Sequence, residues 1–327
     1  MYKLTDDGLV TVIIPTYNHE RYVAKALESV FTQTYANIEL IVIDDQSSDK
    51  TLPAIGEWAS QADVHGRFSR FCLLRNEVNK GAHATINRGI AEAKGEVITV
   101  LNSDDVFFPK RIEQCINAMK SAQSGFAFSK VVAIDEIDAQ MKESQLPPEL
   151  VQSFYAAHQA QIKYPSLSFG FLVTNLAIST GNMLIHKALI GKIGNFRPLL
   201  YIHDWDFALR AILETEPVYV PEPLYGYRLH DTNSFRSLGG VKDIEIDAVT
   251  EHFTDLVRYR PVANKLAPTP QNWPYVFELF VHELWALRWN DFKREQDRRL
   301  GEMVGFNIQS IAYHLSFPRA SLPLSSR

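Results

Sequence analysis

The first 135 residues alternate two kinds of apolar pattern. Short continuous runs at 10–14, 38–43, 70–74 and 97–101 are rich in β-branched residues and predict strands. The first is expected to stop at Pro15, and the second ends in Asp44-Asp45. Between the runs, apolar residues recur at helical spacing. Val23, Leu27, Val30 and Phe31 follow Asn18, a candidate cap; Ile86, Ile90 and Ala93 follow Gly81; Ile112, Cys115, Ile116 and Met119 follow Pro109. A proline suits a first helical turn, where its missing N–H would have no partner anyway. Strands apolar throughout, separated by amphipathic helices, predict an α/β fold with a mostly parallel sheet flanked by helices. Ligands of such sheets lie beyond the carboxyl ends of the strands. Asp44-Asp45 and Asn102-Ser103-Asp104-Asp105 both stand at such ends.

From about 135 to 165 the periodicity weakens, and Pro147-Pro148 with mixed charge suggests a long excursion. Regular signal returns at 176–185, then in a helix over 204–213 and a short strand over 217–220 closed by Pro221-Glu222-Pro223. From Val241 onward the chain reads as helices, with Phe277, Phe280, Val281, Leu284 and Leu287 on one face. Residues 292–299 are heavily charged, and the serine-rich tail 316–327 is expected to be mobile. This divides the chain into 1–239, with a first half over about 9–135 and a second over about 136–239, and a helical C-terminal extension over 240–327. The aromatic residues of the extension, Trp273, Tyr275, Phe277, Phe280, Trp285 and Trp289, read more as core than as interface.

Composition narrows the class. With 327 residues and 46% hydrophobic content the chain can bury a sizeable core, and a net charge of −5 argues against a nucleic-acid partner. The two cysteines, Cys72 and Cys115, have no metal-ligand spacing and read as buried thiols of a cytoplasmic protein. The opening residues 1–7 are polar and acidic, unlike a secretory signal, and no apolar run approaches the roughly 20 residues of a membrane helix. Peripheral contact with the inner face of a membrane remains among the expectations.

Carboxylates closing a buried strand at 102–105 need a reason to be there. They are commonly turn-formers, but a divalent cation carrying a diphosphate, Mn2+ or Mg2+, would also recruit them. The other motifs follow in order along the chain. They are Val12-Ile13-Ile14-Pro15-Thr16-Tyr17-Asn18; Asp44-Asp45-Gln46-Ser47-Ser48-Asp49-Lys50-Thr51; Asn79-Lys80-Gly81; Asn87-Arg88-Gly89-Ile90; Gly95-Glu96; Thr180-Gly181-Asn182; His203-Asp204-Trp205-Asp206; and Tyr227-Arg228-Leu229-His230. In this order they resemble the family 2 glycosyltransferases, inverting enzymes of the A-type nucleotide-diphospho-sugar transferase (GT-A) fold, closely over 9–110 and again from 180.

The resemblance implies a metal-dependent inverting transfer. It makes the half over about 9–135 the nucleotide-binding half and that over about 136–239 the acceptor half. The extension over 240–327 would then cover the acceptor side or form a homo-oligomer contact. A sugar would pass from a UDP- or dTDP-sugar donor to a hydroxyl of a carbohydrate or lipid-linked acceptor, as in bacterial surface polysaccharide synthesis. Pro15, Thr16 and Asn18 would line the donor turn, although Asn18 also reads as a helix cap. Asp45 would accept the imide N–H of uracil or thymine, with an Asx turn as its alternative. Lys80 and Gly81 would serve the ribose or phosphates, or Lys80 would be a solvated loop residue. Asp104 would hold the metal with His230, and Asp105 would cap the turn into Pro109. Asn102 stands where the family's D-x-D motif has aspartate, which keeps an acceptor oxygen and removes one charge; with Ser103 it would meet the nucleotide. Arg228 would grip the diphosphate bidentately.

Asp204 would be the general base, at the start of a helix where a carboxylate is favoured, or only a cap. His203, in place of the family's usual glutamate, and Trp205 would face the acceptor, with core tryptophan as the alternative for the latter. Asp206 would face solvent or pair with Arg210. Two other readings are a binding scaffold that has lost turnover, suggested by Asn102, and a nucleotidyltransferase. The latter lacks its glycine- and lysine-rich loop after the first strand.

Overall fold

A computed structural model describes residues 2–61, 63–231, 233, 239–259 and 261–281. Leu284, Leu287, Trp285, Trp289, the charged stretch 292–299 and the tail 316–327 lie outside the described residues. Eight strands form a single sheet: β1 (Val10–Thr16), β2 (Ile38–Asp44), β3 (Arg70–Arg75), β4 (Val97–Val100), β5 (Val106–Phe107), β6 (Phe126–Ile134), β7 (Met183–His186) and β8 (Val218–Arg228). The order across the sheet is β3-β2-β1-β4-β7-β6-β8-β5. The pairs β1/β2, β1/β4, β2/β3 and β6/β8 are parallel, and β7 and β5 run antiparallel to their neighbours. The expected mostly parallel sheet is thus observed.

Alternation along β1 splits the core between the two faces of the sheet. Val10, Val12 and Ile14 pack with the helices Val23–Phe31 and Arg111–Ala122, whereas Ile13 faces the helices Ala82–Glu92, Leu167–Val173 and His203–Ala211. Such double-sided burial is why these strands read as unbroken apolar runs.

Prolines in two strands depart from the sequence expectation in the same way. β1 does not stop at Pro15 but continues to Thr16, with Pro15 in register with Ile43. Ile13 accepts from the Leu101 N–H on the β4 side, and Pro15 shares that parity, beyond the last β4 pair at Val100. The missing proline N–H therefore costs no ladder bond. β8 likewise runs for 11 residues through Pro221 and Pro223, with the irregularity absorbed by register shifts around Lys130 of β6. The expected strand over 217–220 is only its beginning.

The suggested excursion after 135 contains the 16-residue helix Pro148–Lys163, with Pro148 at its first position. β5 and β6 were not among the expected strands, although β6 carries the apolar run Val131-Val132-Ala133-Ile134. Cys115 is buried as expected, but Cys72 is only half-buried. The helix Gly239–Tyr259 and residues up to 281 share the main core through Val249, Phe253, Val257, Phe277 and Phe280. No helix among the described residues is long and apolar enough to cross a membrane.

Candidate active site

The loops after β1, β2 and β4 meet at the carboxyl edge of the sheet. Asn18, at φ 54°, does not cap the following helix, which begins at Val23 behind Tyr22 without a side-chain cap. Its Oδ1 instead accepts from the Ser48 N–H at 2.9 Å, and its own N–H donates to Ser47 Oγ at 3.0 Å. The Asx turn belongs to Asp44, whose carboxylate accepts from the Ser47 N–H at 3.2 Å and pairs with Arg75 Nε at 3.1 Å. Thr16 is buried and donates weakly to the same carboxylate at 3.5 Å.

Asp45 holds the next loop. Its Oδ1 accepts from Asn76 Nδ2 at 2.6 Å and from the Lys80 N–H at 2.9 Å, and its Oδ2 accepts from the Gly81 N–H at 2.8 Å. Gly81 adopts φ 80°, a conformation that favours glycine and that turns its N–H to the carboxylate. Lys80 contributes its backbone here, while the residue itself is exposed. A carboxylate offers about four acceptor positions. Three are used by these groups, which leaves Oδ2 able to accept one more N–H.

The acidic motif divides its labour. Asn102 Nδ2 donates to Asp105 Oδ2 at 3.1 Å and to Ser179 Oγ at 3.0 Å. Asp105 also accepts from the Tyr225 hydroxyl at 2.5 Å and the Arg228 N–H at 2.8 Å. It therefore locks β8 to the end of β4 and does not cap the turn into Pro109. Burial without a facing cation, and Asp104 beside it, push the Asp105 carboxyl well up.

Arg228 also departs from expectation. Its side chain is fully buried, with Nε on the Asp104 carbonyl at 2.7 Å, Nη1 on the Asp135 carbonyl at 2.7 Å and Nη2 on the Asp138 carboxylate. The guanidinium is turned into the protein, over the Tyr22 ring, and supports the Asp104 backbone. The bidentate grip on a diphosphate expected from sequence is not available in this arrangement.

Asp104 is left facing the cleft between two histidines. His230 Nε2 lies 3.0 Å from Asp104 Oδ2, and His19 Nε2 lies 3.9 Å from the same oxygen. Burial raises the Asp104 carboxyl, but the His230 hydrogen bond and the two imidazoles hold it below the ordinary range. His19 Nδ1 meets Ser103 Oγ at 2.8 Å, and His230 stacks on Tyr22 with centroids 4.8 Å apart. One ligand atom from each of His19, Asp104 and His230 lies within 4.8 Å of the others. Two imidazoles and a carboxylate suit a divalent ion of borderline softness such as Mn2+ better than Mg2+, which prefers oxygen and retains its water. A cavity of about 470 Å³ lined in part by Glu136, Met141, Leu146, Leu229 and His230 opens beside this group.

Asp204 occupies the first turn of the helix His203–Ala211. Asn175 Nδ2 donates to its Oδ2 at 2.8 Å and the Trp205 N–H to its Oδ1 at 2.7 Å. Burial with no cation beside it raises the Asp204 carboxyl to about 7, against those two bonds. The Tyr227 hydroxyl is pushed well up, by burial first and then by the fields of Asp105, Asp104, Tyr201 and Asp204. His203 Nε2 meets Thr180 Oγ1 at 3.1 Å, and burial with His83 nearby lowers its pKa to about 4. Trp205 is core: it is 4% exposed and its indole N–H donates to the Phe171 carbonyl at 2.6 Å. Asp206 is not solvated; it pairs with Arg210 at 2.8 Å and Arg197 at 2.9 Å.

Comparison with known proteins bears on the family and the fold. The family model described as Glycosyl transferase family 2 matches residues 11–193. The chain belongs to this family. An uncharacterised glycosyltransferase of Rickettsia typhi is 30% identical over 237 residues, covering 72% of this chain and 68% of that protein. The Escherichia coli UDP-Glc:alpha-D-GlcNAc-diphosphoundecaprenol beta-1,3-glucosyltransferase WfgD is 37% identical over 130 residues, 40% of this chain and only 48% of its own. Among solved structures, S. aureus TarS 1-349 in complex with UDP-GlcNAc superposes with a TM-score of 0.60 at 17% identity, covering 92% of this chain and 77% of that one. The mannosyltransferase PcManGT from Pyrobaculum calidifontis, in complex with GDP-Man and Mn2+, gives 0.59 at 15% identity, with 93% and 81% covered. At such identities the likeness establishes the glycosyltransferase fold.

Sequence reasoning within this family overlooked three participants. His19 follows the Thr16-Tyr17-Asn18 turn directly and reads as an ordinary polar loop residue. Asn175 lies in a stretch without motif. Glu245, from the helix Gly239–Tyr259, accepts the N–H groups of Leu200, Tyr201 and Ile202 at 2.6, 2.9 and 3.1 Å, which fixes the approach to Asp204. A patterned signal existed only for His19, through its adjacency to the donor turn.

Proposed function

We propose that this chain is an inverting, metal-dependent glycosyltransferase that moves one sugar from a UDP- or dTDP-sugar to a hydroxyl of a carbohydrate or lipid-linked acceptor. The observation that carries the reading is the unlike setting of two carboxylates, Asp104 and Asp204, whose fields both reach the Tyr227 hydroxyl. Asp104, held ionised between imidazoles, suits a cation, whereas Asp204, raised to about 7, suits a proton acceptor.

In this reading Asp104 and His230 hold Mn2+ or Mg2+. The ion supplies neutralisation of the diphosphate leaving group, so no protein acid is needed there. Asp204 takes the proton of the acceptor hydroxyl on the face opposite the leaving nucleotide, and Asn175 and the Trp205 N–H fix its orientation. Asp45 uses its remaining acceptor position on the base, while its other bonds hold the Lys80-Gly81 backbone close to the nucleotide. Asn102 and Ser103 brace Asp105 and His19 respectively, which gives the asparagine a purpose within an active enzyme. The name of WfgD, a UDP-glucose enzyme acting on a polyprenol-linked sugar, favours a lipid-linked acceptor.

Thermal denaturation with UDP, dTDP, GDP and CDP, each with and without Mn2+, tests the donor side. Ligand at 100 times its Kd stabilises the fold by about 2.7 kcal/mol, and the shift is expected for UDP or dTDP with metal. A shift with GDP alone would overturn the base assignment. Proton NMR of the transferred anomer then reads inversion directly.

A further inference from the structure

We propose that His19 is a third protein ligand of the metal, so that the site is a two-histidine, one-aspartate centre selective for Mn2+ over Mg2+. This rests on the metal reading above and adds to it a residue from the loop after β1.

Three observations support it. His19, Asp104 and His230 come from three separate segments, the loops after β1 and β4 and the end of β8, yet their ligand atoms converge within 4.8 Å. The His19 ring is oriented from behind: with Nδ1 bonded to Ser103 Oγ at 2.8 Å, Nε2 is directed at Asp104. A hydrogen bond on one ring nitrogen that fixes the tautomer of the other is the usual support of a ligating histidine. Finally, the backbone of His19 needs no ligand to be held in place. The His19 N–H donates to Thr51 Oγ1 at 2.8 Å, and its carbonyl accepts from the Tyr22 and Val23 N–H groups at the helix start. Selectivity follows from the donor set, because two neutral nitrogens and one carboxylate match Mn2+ and leave Mg2+ short of oxygen.

Mn2+ uptake by the full-length protein, followed by loss of the free-ion EPR signal without any nucleotide, gives the test. His19→Ala is expected to weaken Mn2+ binding about tenfold or more while its Tm without metal stays within about 3 °C of the parent. Electron spin-echo modulation from bound Mn2+ should report two imidazole nitrogens in the parent, and one in His19→Ala as in His230→Ala. His19→Asp should lower the ratio of Mn2+ to Mg2+ affinity, an outcome that a merely structural histidine would not give. Unchanged Mn2+ affinity and nitrogen modulation in His19→Ala would overturn the assignment and leave Asp104 and His230 as ligands. A parent protein that takes up no Mn2+ would overturn both this inference and the metal reading beneath it.

Discussion

At the residue scale, environment separates groups that look alike in the sequence. Asp104, Asp105, Asp204 and Asp206 are all aspartates in short acidic motifs, yet one faces two imidazoles, one locks a strand, one is poised near neutrality and one sits between two arginines. Asp204→Asn is expected to lower kcat by about 10²–10⁴-fold with donor affinity retained, read by single-turnover assay and UDP titration. In the parent, kcat/KM should fall with unit slope as pH drops below about 7, where Asp204 takes up its proton. The stability consequence has the opposite sign. The raised carboxyl favours folding in its protonated form, so the parent loses stability as pH rises from its ordinary value of 3.8 to about 7. The asparagine variant escapes that loss, and its Tm relative to the parent should climb over this interval. Arg228→Lys separates a structural from a phosphate-binding arginine. Lysine lacks the fork that reaches Asp104, Asp135 and Asp138, so a loss of about 1–3 kcal/mol in urea denaturation is expected without nucleotide present.

At the element scale, the metal side of the cleft depends on how β8 is fastened. The Tyr225 hydroxyl, Asp105, Asn102 and Ser179 form one buried chain of hydrogen bonds between β8 and the end of β4. Gly181 permits it, because a Cβ there would collide with the Tyr225 hydroxyl. Tyr225→Phe keeps the ring and removes one donor from a buried carboxylate. The expected cost is about 1–3 kcal/mol by denaturant titration, with weaker Mn2+ uptake as Asp104 and His230 lose their shared register. The sequence motifs Asn102–Asp105 and Tyr227–His230 are thus two halves of one device. The resemblance joined Asp104 to His230, but the bonds of Asp105 to Tyr225 and Arg228 were hidden, because no local pattern encodes a parallel β6/β8 pair bulged around Lys130.

At the scale of the whole molecule, the boundary expected at residue 240 does not mark the edge of the core. Trp273 packs edge-on against Phe169 with centroids 4.9 Å apart, and Phe280 does so against Phe169 and Tyr164 at 5.4 and 5.5 Å. Glu245 reaches back to the backbone before Asp204. A chain cut after residue 269 should therefore unfold well below one cut after 281, since burial of Phe277 and Phe280 contributes about 1.5–3 kcal/mol each; calorimetry of the two compares them directly. The chain cut after 281 also isolates what residues 282–327 add to acceptor use.

Residues 9–135 write most of their structure into local pattern. β1, β2 and β4 are buried on both faces and the helices on one, so each element carries its own periodicity, and even the partly exposed edge strand β3 reads as an apolar run. Asp45, Asp104, Asp204 and His230 could be singled out as candidates because their motifs are contiguous. Only the tertiary structure decided what their partners do. It turned Arg228 inward, buried Trp205, carried β1 and β8 through their prolines, and brought His19, Asn175 and Glu245 to the site. Those outcomes depend on which side of a strand has lost its ladder partner and which distant donor reaches a carboxylate. Such contacts are set by the sheet order β3-β2-β1-β4-β7-β6-β8-β5, and no window of neighbouring residues contains it.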